Sequence, residues 1–120
     1  MERDLESGWV LEGSDGRGQK LRLLIGETEL ARSYLGLTFG RHPALCQRVI
    51  DDGSVSRRHF RIGRNAVGAF IEDVNSLNGT SLDGVELRPF EPTVLTPGQT
   101  LTLGRVTLTL ARLEDAAQGA

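Results

Sequence analysis

Three short polar clusters hold the residues of this 120-residue chain whose types and spacing could do chemistry. The first is Gly40-Arg41, directly after the alternating run Leu35-Gly-Leu-Thr-Phe39. Glycine lets a chain turn sharply at a strand end, and the arginine after it projects from the rim. The second is Val55-Ser56-Arg57-Arg58-His59-Phe60, following Asp51-Asp52-Gly53. Ser56 and His59 are three residues apart; with Asp73 as a remote third member they could form a nucleophile, base and orienting acid. No nucleophile elbow surrounds Ser56 and no oxyanion hole is signalled. A structural use of His59 is the better reading: at the head of a strand it bonds backbone and locks the shape of the serine loop. The third cluster is Asp73-Val-Asn-Ser-Leu-Asn-Gly-Thr80. Asp, Asn and Ser side chains mimic backbone turns, and Gly79 supplies a conformation that other residues resist. Such a loop also offers an amide side chain and free N–H groups to an oxygen acceptor.

Charge says which cluster carries a field. The whole chain has 14 basic and 16 acidic residues, a net −2, which excludes a global basic surface of the nucleic-acid-binding kind. Residues 41–64 depart from this: six arginines stand there against Asp51 and Asp52. Lys20 is the only lysine. Part of that bias suits a GC-rich genome, but forked guanidinium donors also match phosphate better than ammonium does. Arg57, Arg58, Arg61 and Arg64 have too few aromatic neighbours to read as a nucleic-acid stripe. His42 and Cys46, four apart around Pro43, lack further partners at metal-ligand spacing. Neither a metal nor another cofactor is expected.

The elements that must position these clusters are short strands. Fifteen glycines and four prolines are spread along the chain, and no stretch keeps a 3.6-residue period. The pattern predicts strands at 9–12, 20–25, 35–39, 60–62, 69–73, 80–82, 85–87, 94–95, 99–103 and 105–110, with one helical turn over Glu27–Ser33. Asp83-Gly84 reads as a tight type I′ hairpin turn. Strands of this length, with turns every eight to twelve residues, predict an all-β sandwich or barrel. The single cysteine excludes an internal disulfide framework and suits a reducing compartment. The acidic start has no apolar run of the signal-peptide kind, and no stretch is apolar enough to span a bilayer. A cytoplasmic location without membrane partners is expected, with one domain at 8–112 between flexible tails at 1–7 and 113–120.

In order, Phe39-Gly40-Arg41, then Ser56-Arg57-Arg58-His59, then Asp73-x-x-Ser76-x-Asn78-Gly79-Thr80 resembles the forkhead-associated (FHA) domain family. The closing Leu95-x-Pro97-Gly98-Gln99-x-Leu101-x-Leu103-Gly104 fits the same pattern. The resemblance implies an all-β fold of two antiparallel sheets packed as a sandwich, with loops at one end binding phosphothreonine peptides. It implies that Arg41 grips the phosphate, Ser56 gives it a hydroxyl hydrogen bond and Arg57 adds a backbone and a charged contact. The Leu77 position lends its backbone and lies near the phosphothreonine methyl, and Asn78 binds the peptide backbone. Gly40, His59 and Gly79 hold loop shapes. The expected function is a non-enzymatic recognition module whose partner is a phosphothreonine-containing protein in a Ser/Thr-kinase pathway. The alternative of another class is a phosphorylation-independent assembly or dimerisation module; a small hydrolase on Ser56 and His59 is the third.

Overall fold

Period-two alternation becomes a two-layer sandwich because each strand has one apolar face to cover. The computed structural model describes residues 7–113. One sheet contains β1 (Gly8–Ser14), β2 (Lys20–Gly26), β7 (Ser81–Leu82), β8 (Val85–Glu86), β10 (Thr100–Leu103) and β11 (Val106–Arg112), in the order β2-β1-β11-β10-β7-β8. The other contains β3 (Leu37–Gly40), β4 (Arg48–Val49), β5 (Phe60–Asn65), β6 (Gly68–Asp73) and β9 (Thr93–Val94), in the order β4-β3-β5-β6-β9. Leu101, Leu103, Val106, Leu108 and Leu110 face Leu37, Phe39, Phe60, Ile62 and Ile71 across the interior, all buried. The exposed threonines 102, 107 and 109 alternate with them.

Most strands fall within two residues of their predicted bounds. Both residues of the Asp83-Gly84 turn have positive φ, +50° and +83°, as a type I′ turn requires. The predicted helical turn is α1 (Glu27–Arg32), which buries Leu30 under the sandwich edge. Its acidic residues lie in the first turn and Arg32 in the last, the favourable arrangement for the helix dipole.

Two features depart from the sequence reading. The stretch 63–68, expected to separate two strands, is strand at both ends. It closes a β5–β6 hairpin, because Gly63 leaves room for the Phe70 ring lying over it. The sheets are also not purely antiparallel: β4, which the pattern did not predict, pairs in parallel with β3. Two residues give no periodic signal. Arg48 holds the strand by reaching the Leu24 carbonyl at 2.8 Å and the Glu29 carboxylate, tying the edges of the two sheets together. The tails expected at 1–7 and 113–120 lie outside the described residues, except for Ser7 and Leu113. The Ser7 carbonyl accepts the Glu27 N–H at 2.9 Å.

Candidate functional site

The three polar clusters arrive at one end of the sandwich because the strands that carry them are neighbours. Phe39 is the last residue but one of β3 and Phe60 begins β5; they are register partners, and their rings stack with centroids 4.6 Å apart. This buried pair fixes the departure of the Gly40-Arg41 turn and the return of the serine loop. Gly40 has to be small: a Cβ there would sit 2.2 Å from the Arg57 carbonyl oxygen. The close approach lets Arg41 N–H reach the Ser56 carbonyl at 2.9 Å and His42 N–H the Arg57 carbonyl at 3.2 Å.

His59 is fully buried between two loops. Its Nδ1 accepts the Ser56 N–H at 3.0 Å, and its Nε2 donates to the Gly79 carbonyl at 2.8 Å. That pattern requires the neutral ring with its proton on Nε2, and burial pushes the imidazole below its ordinary pKa in support. The same contacts argue against a hydrolytic dyad. His59 bonds the backbone of Ser56, whereas the Ser56 hydroxyl accepts the Leu77 N–H at 2.9 Å. Asp73 does not orient the histidine. Its buried carboxylate takes the N–H groups of Asn75 and Ser76 and the hydroxyls of Ser76 and Thr80, the last two at 2.6 and 2.7 Å. It is the hub that shapes the Asn78 loop, where Gly79 adopts φ +79°.

Arg41, Ser56, Arg57, Leu77 and Asn78 together line one cleft of about 220 Å³, with Gly53, Ser54 and Val55 completing its wall. Arg41 Nε donates to the Val55 carbonyl at 2.9 Å. This aims the guanidinium while its terminal nitrogens keep their donors. Asn78 Nδ2 donates to the Ser54 carbonyl at 2.8 Å, leaving its amide oxygen to accept. The Ser56 oxygen already takes one N–H, so its own proton is available to give. Leu77 is 90% exposed, so its side chain forms no pocket by itself here.

The local positive charge resolves on folding. Arg48 pairs with Glu29, Arg61 with Glu72 at 2.6 Å, and Arg64 lies 3.8 Å from Glu27. Arg41, Arg57 and Arg58 have no carboxylate partner among the described residues, and all three are exposed at the site end. His42 and Cys46 do not converge: the His42 ring accepts the Ala44 N–H, and the Cys46 thiol donates to the Arg57 carbonyl.

Sequence reasoning missed Asp52. Its buried carboxylate accepts the Ser54 hydroxyl and N–H at 2.6 and 2.8 Å and the Gly16 N–H at 2.7 Å. Those donors hold its pKa down to about 2. The Ser54 hydroxyl in turn accepts the Arg105 N–H at 2.8 Å, which fastens the cleft wall to the β10–β11 turn. The Asp-Gly-Ser order was a turn signal that could have found it.

The FHA domain family profile matches residues 37–104, a span that includes every residue of this cleft. The nuclear inhibitor of protein phosphatase 1 from Homo sapiens is 35% identical over 95 residues, covering 76% of this chain. The chain spans about a quarter of that relative's length. Among solved structures, one described as a structural and functional analysis of phosphothreonine-dependent FHA domain interactions is 27% identical. It has a TM-score of 0.61 over 87% of this chain and 95% of that one. The N-terminal FHA domain of Rad53p from S. cerevisiae, solved with a phosphothreonine peptide, shares the fold at a TM-score of 0.68 and 22% identity. That match covers 94% of this chain and 99% of that one. With the ordered motifs, the two-sheet topology and a matched profile over more than half its length, this chain belongs to the FHA domain family.

Proposed function

We propose that this domain binds phosphothreonine peptides at the cleft between the Gly40-Arg41 turn, the serine loop and the Asn78 loop, as a non-enzymatic module for phosphorylation-dependent protein–protein interaction. The observation that carries this is the convergence of Arg41, Ser56, Arg57 and Asn78 on one cleft, with two guanidinium groups on its rim that have no carboxylate partner among the described residues. A phosphothreonine brings about −1.5 to −2 charges and three acceptor oxygens, which such donors discriminate from threonine. In this reading Arg41 and Arg57 neutralise the phosphate and the Ser56 hydroxyl donates to it. The Asn78 amide takes the peptide backbone, and Leu77 closes over the phosphothreonine methyl. The partner is a phosphothreonine-containing protein of a Ser/Thr-kinase pathway in the cytoplasm; nucleic acid and membrane surfaces are not its ligands.

Calorimetric titration of one peptide in its threonine and phosphothreonine forms, against the wild type and Arg41→Ala, tests the reading. Binding of the phosphorylated form alone, lost in the variant, is expected. Equal binding of both forms, or an Arg41→Ala protein that binds like wild type while folded, moves the function to an assembly surface elsewhere.

A further inference from the structure

Two consecutive carbonyls of the serine loop hold two of the side chains that the cleft offers to a ligand. The Ser54 carbonyl accepts the Asn78 Nδ2 at 2.8 Å, and the Val55 carbonyl accepts the Arg41 Nε at 2.9 Å. Asn78 and Arg41 belong to different loops, so the segment 52–55 is what relates one to the other.

That segment is closed on itself and tied down on both sides. The Asp52 backbone carbonyl accepts the Val55 N–H at 3.0 Å. Its Oδ1 accepts the Ser54 N–H and hydroxyl at 2.8 and 2.6 Å. The other carboxylate oxygen takes the Gly16 N–H, from the β1–β2 turn, at 2.7 Å. From the β10–β11 turn, the Arg105 N–H donates to the Ser54 hydroxyl at 2.8 Å. Gly104, at φ +60°, lies so close there that a Cβ on it would overlap that hydroxyl. Ser54 thus has its N–H and hydroxyl bound to the scaffold and its carbonyl bound to Asn78.

The chemistry of that carbonyl decides how Asn78 meets a ligand. An asparagine amide has a donor end and an acceptor end of nearly the same shape, and it can turn over. A carbonyl only accepts, so the Asn78 nitrogen faces Ser54 and the oxygen is left for the ligand. We propose that Ser54 is a positioning residue for peptide recognition: braced by Asp52 and the Arg105 N–H, its carbonyl fixes the Asn78 amide in the orientation that accepts a peptide N–H. The proposal rests on the phosphothreonine reading above.

The test is a cycle in which peptide and protein are both changed. Phosphothreonine peptides of one sequence are N-methylated at one backbone amide at a time. Each is titrated by calorimetry into wild type, Ser54→Ala and Asn78→Ala. In the wild type one methylation is expected to cost about tenfold more than the others, because it removes the N–H that a fixed acceptor needs. Ser54→Ala deletes the hydroxyl that Asp52 and Arg105 hold, and the cost of that methylation falls to about threefold or less; Asn78→Ala abolishes it. A role in stability alone would weaken every peptide alike and leave the ratio of methylated to parent peptide at its wild-type value, which overturns the proposal. Amide spectra of the unliganded wild type give a reading that no variant's folding affects. One proton of the Asn78 side-chain pair is expected downfield, as the donor to Ser54, and a pair at free-asparagine positions overturns the proposal. If no methylation costs more than about twofold while binding still depends on the phosphate and on Arg41, the phosphothreonine reading stands and the role of Ser54 falls. A parent phosphopeptide that does not bind the wild type overturns both.

Discussion

Replacing His59 with alanine tests whether one buried imidazole ties the serine loop to the Asn78 loop. The substitution removes both ring hydrogen bonds, to Ser56 N–H and to the Gly79 carbonyl, and leaves a cavity the size of the ring. An unpaired buried polar group costs about 1–3 kcal/mol. Ser56 and Gly79 are each partly exposed, so the low end of that range applies to both. With a cavity contribution of about 1 kcal/mol, the loss is about 3 kcal/mol in all. In a domain of this size that lowers the melting temperature by about 10–15 °C. Circular dichroism melts and denaturant titration read the loss, and peptide titration of the folded variant reads the site. An acidic arm sharpens the test. The folded His59 has a lowered pKa, so the unfolded chain takes up this proton first. The stability the neutral ring supplies is present above about pH 6.5 and is lost as pH falls towards the folded value. The gap between wild type and His59→Ala therefore narrows on acidification. An unchanged melt with peptide binding lost would refute the reasoning and make His59 a ligand contact. A gap that widens below pH 6.5 would refute the neutral, doubly bonded ring.

Arg41→Ala removes a charge-assisted contact and costs about 2 kcal/mol or more of phosphopeptide binding, while Arg41→Lys recovers only part because an ammonium lacks the fork; calorimetry with the melt unchanged checks both. Gly40→Ala drives a Cβ to 2.2 Å from the Arg57 carbonyl. It should destabilise by about 1–3 kcal/mol and weaken peptide binding in the surviving folded fraction; a variant that binds normally would show that the turn is not positioning Arg41. Asp52, with its pKa lowered to about 2 by hydrogen bonds, contributes stability above about pH 4 that is lost as pH falls to about 2. Asp52→Asn should flatten that acid limb, and an identical acid melt would assign the limb to other carboxylates. Phosphothreonine should bind more tightly than phosphoserine by about 1 kcal/mol, the worth of one buried methyl. Equal affinities in paired titrations would mean that Leu77 stays as exposed in the complex as it is in the free protein.

What was legible in the sequence is what repeats or what turns. Alternating runs such as Arg-Val-Thr-Leu-Thr-Leu110 have one stable use, a strand with one face inward, so their positions followed from pattern alone. Asp83-Gly84 followed from its backbone freedom. The strand β4 did not, because its two residues are held by the neighbouring β3 and by Arg48 contacts across the edge, none of which is local in sequence. Asp52 was visible only as a charge. Its role depends on Gly16, 36 residues away, and on Arg105, whose guanidinium lies 3.7 Å from it and whose N–H reaches it through Ser54.

The site shows why composition could point to a region without assigning roles within it. Six arginines lie between residues 41 and 64, and nothing in their order separates ligand donors from scaffold. Folding separates them by what it sets opposite each one. Arg48, Arg61 and Arg64 come to face glutamates contributed by α1 and β6, and their charge is used within the protein. Arg41, Arg57 and Arg58 leave from loops and have no carboxylate partner among the described residues; Arg41 Nε donates to the Val55 carbonyl instead. That carbonyl orients the Arg41 guanidinium without cancelling its charge, and the exposed heads of all three stay available to an external anion. The clustering of charge is written in the sequence; its availability is decided by tertiary pairing.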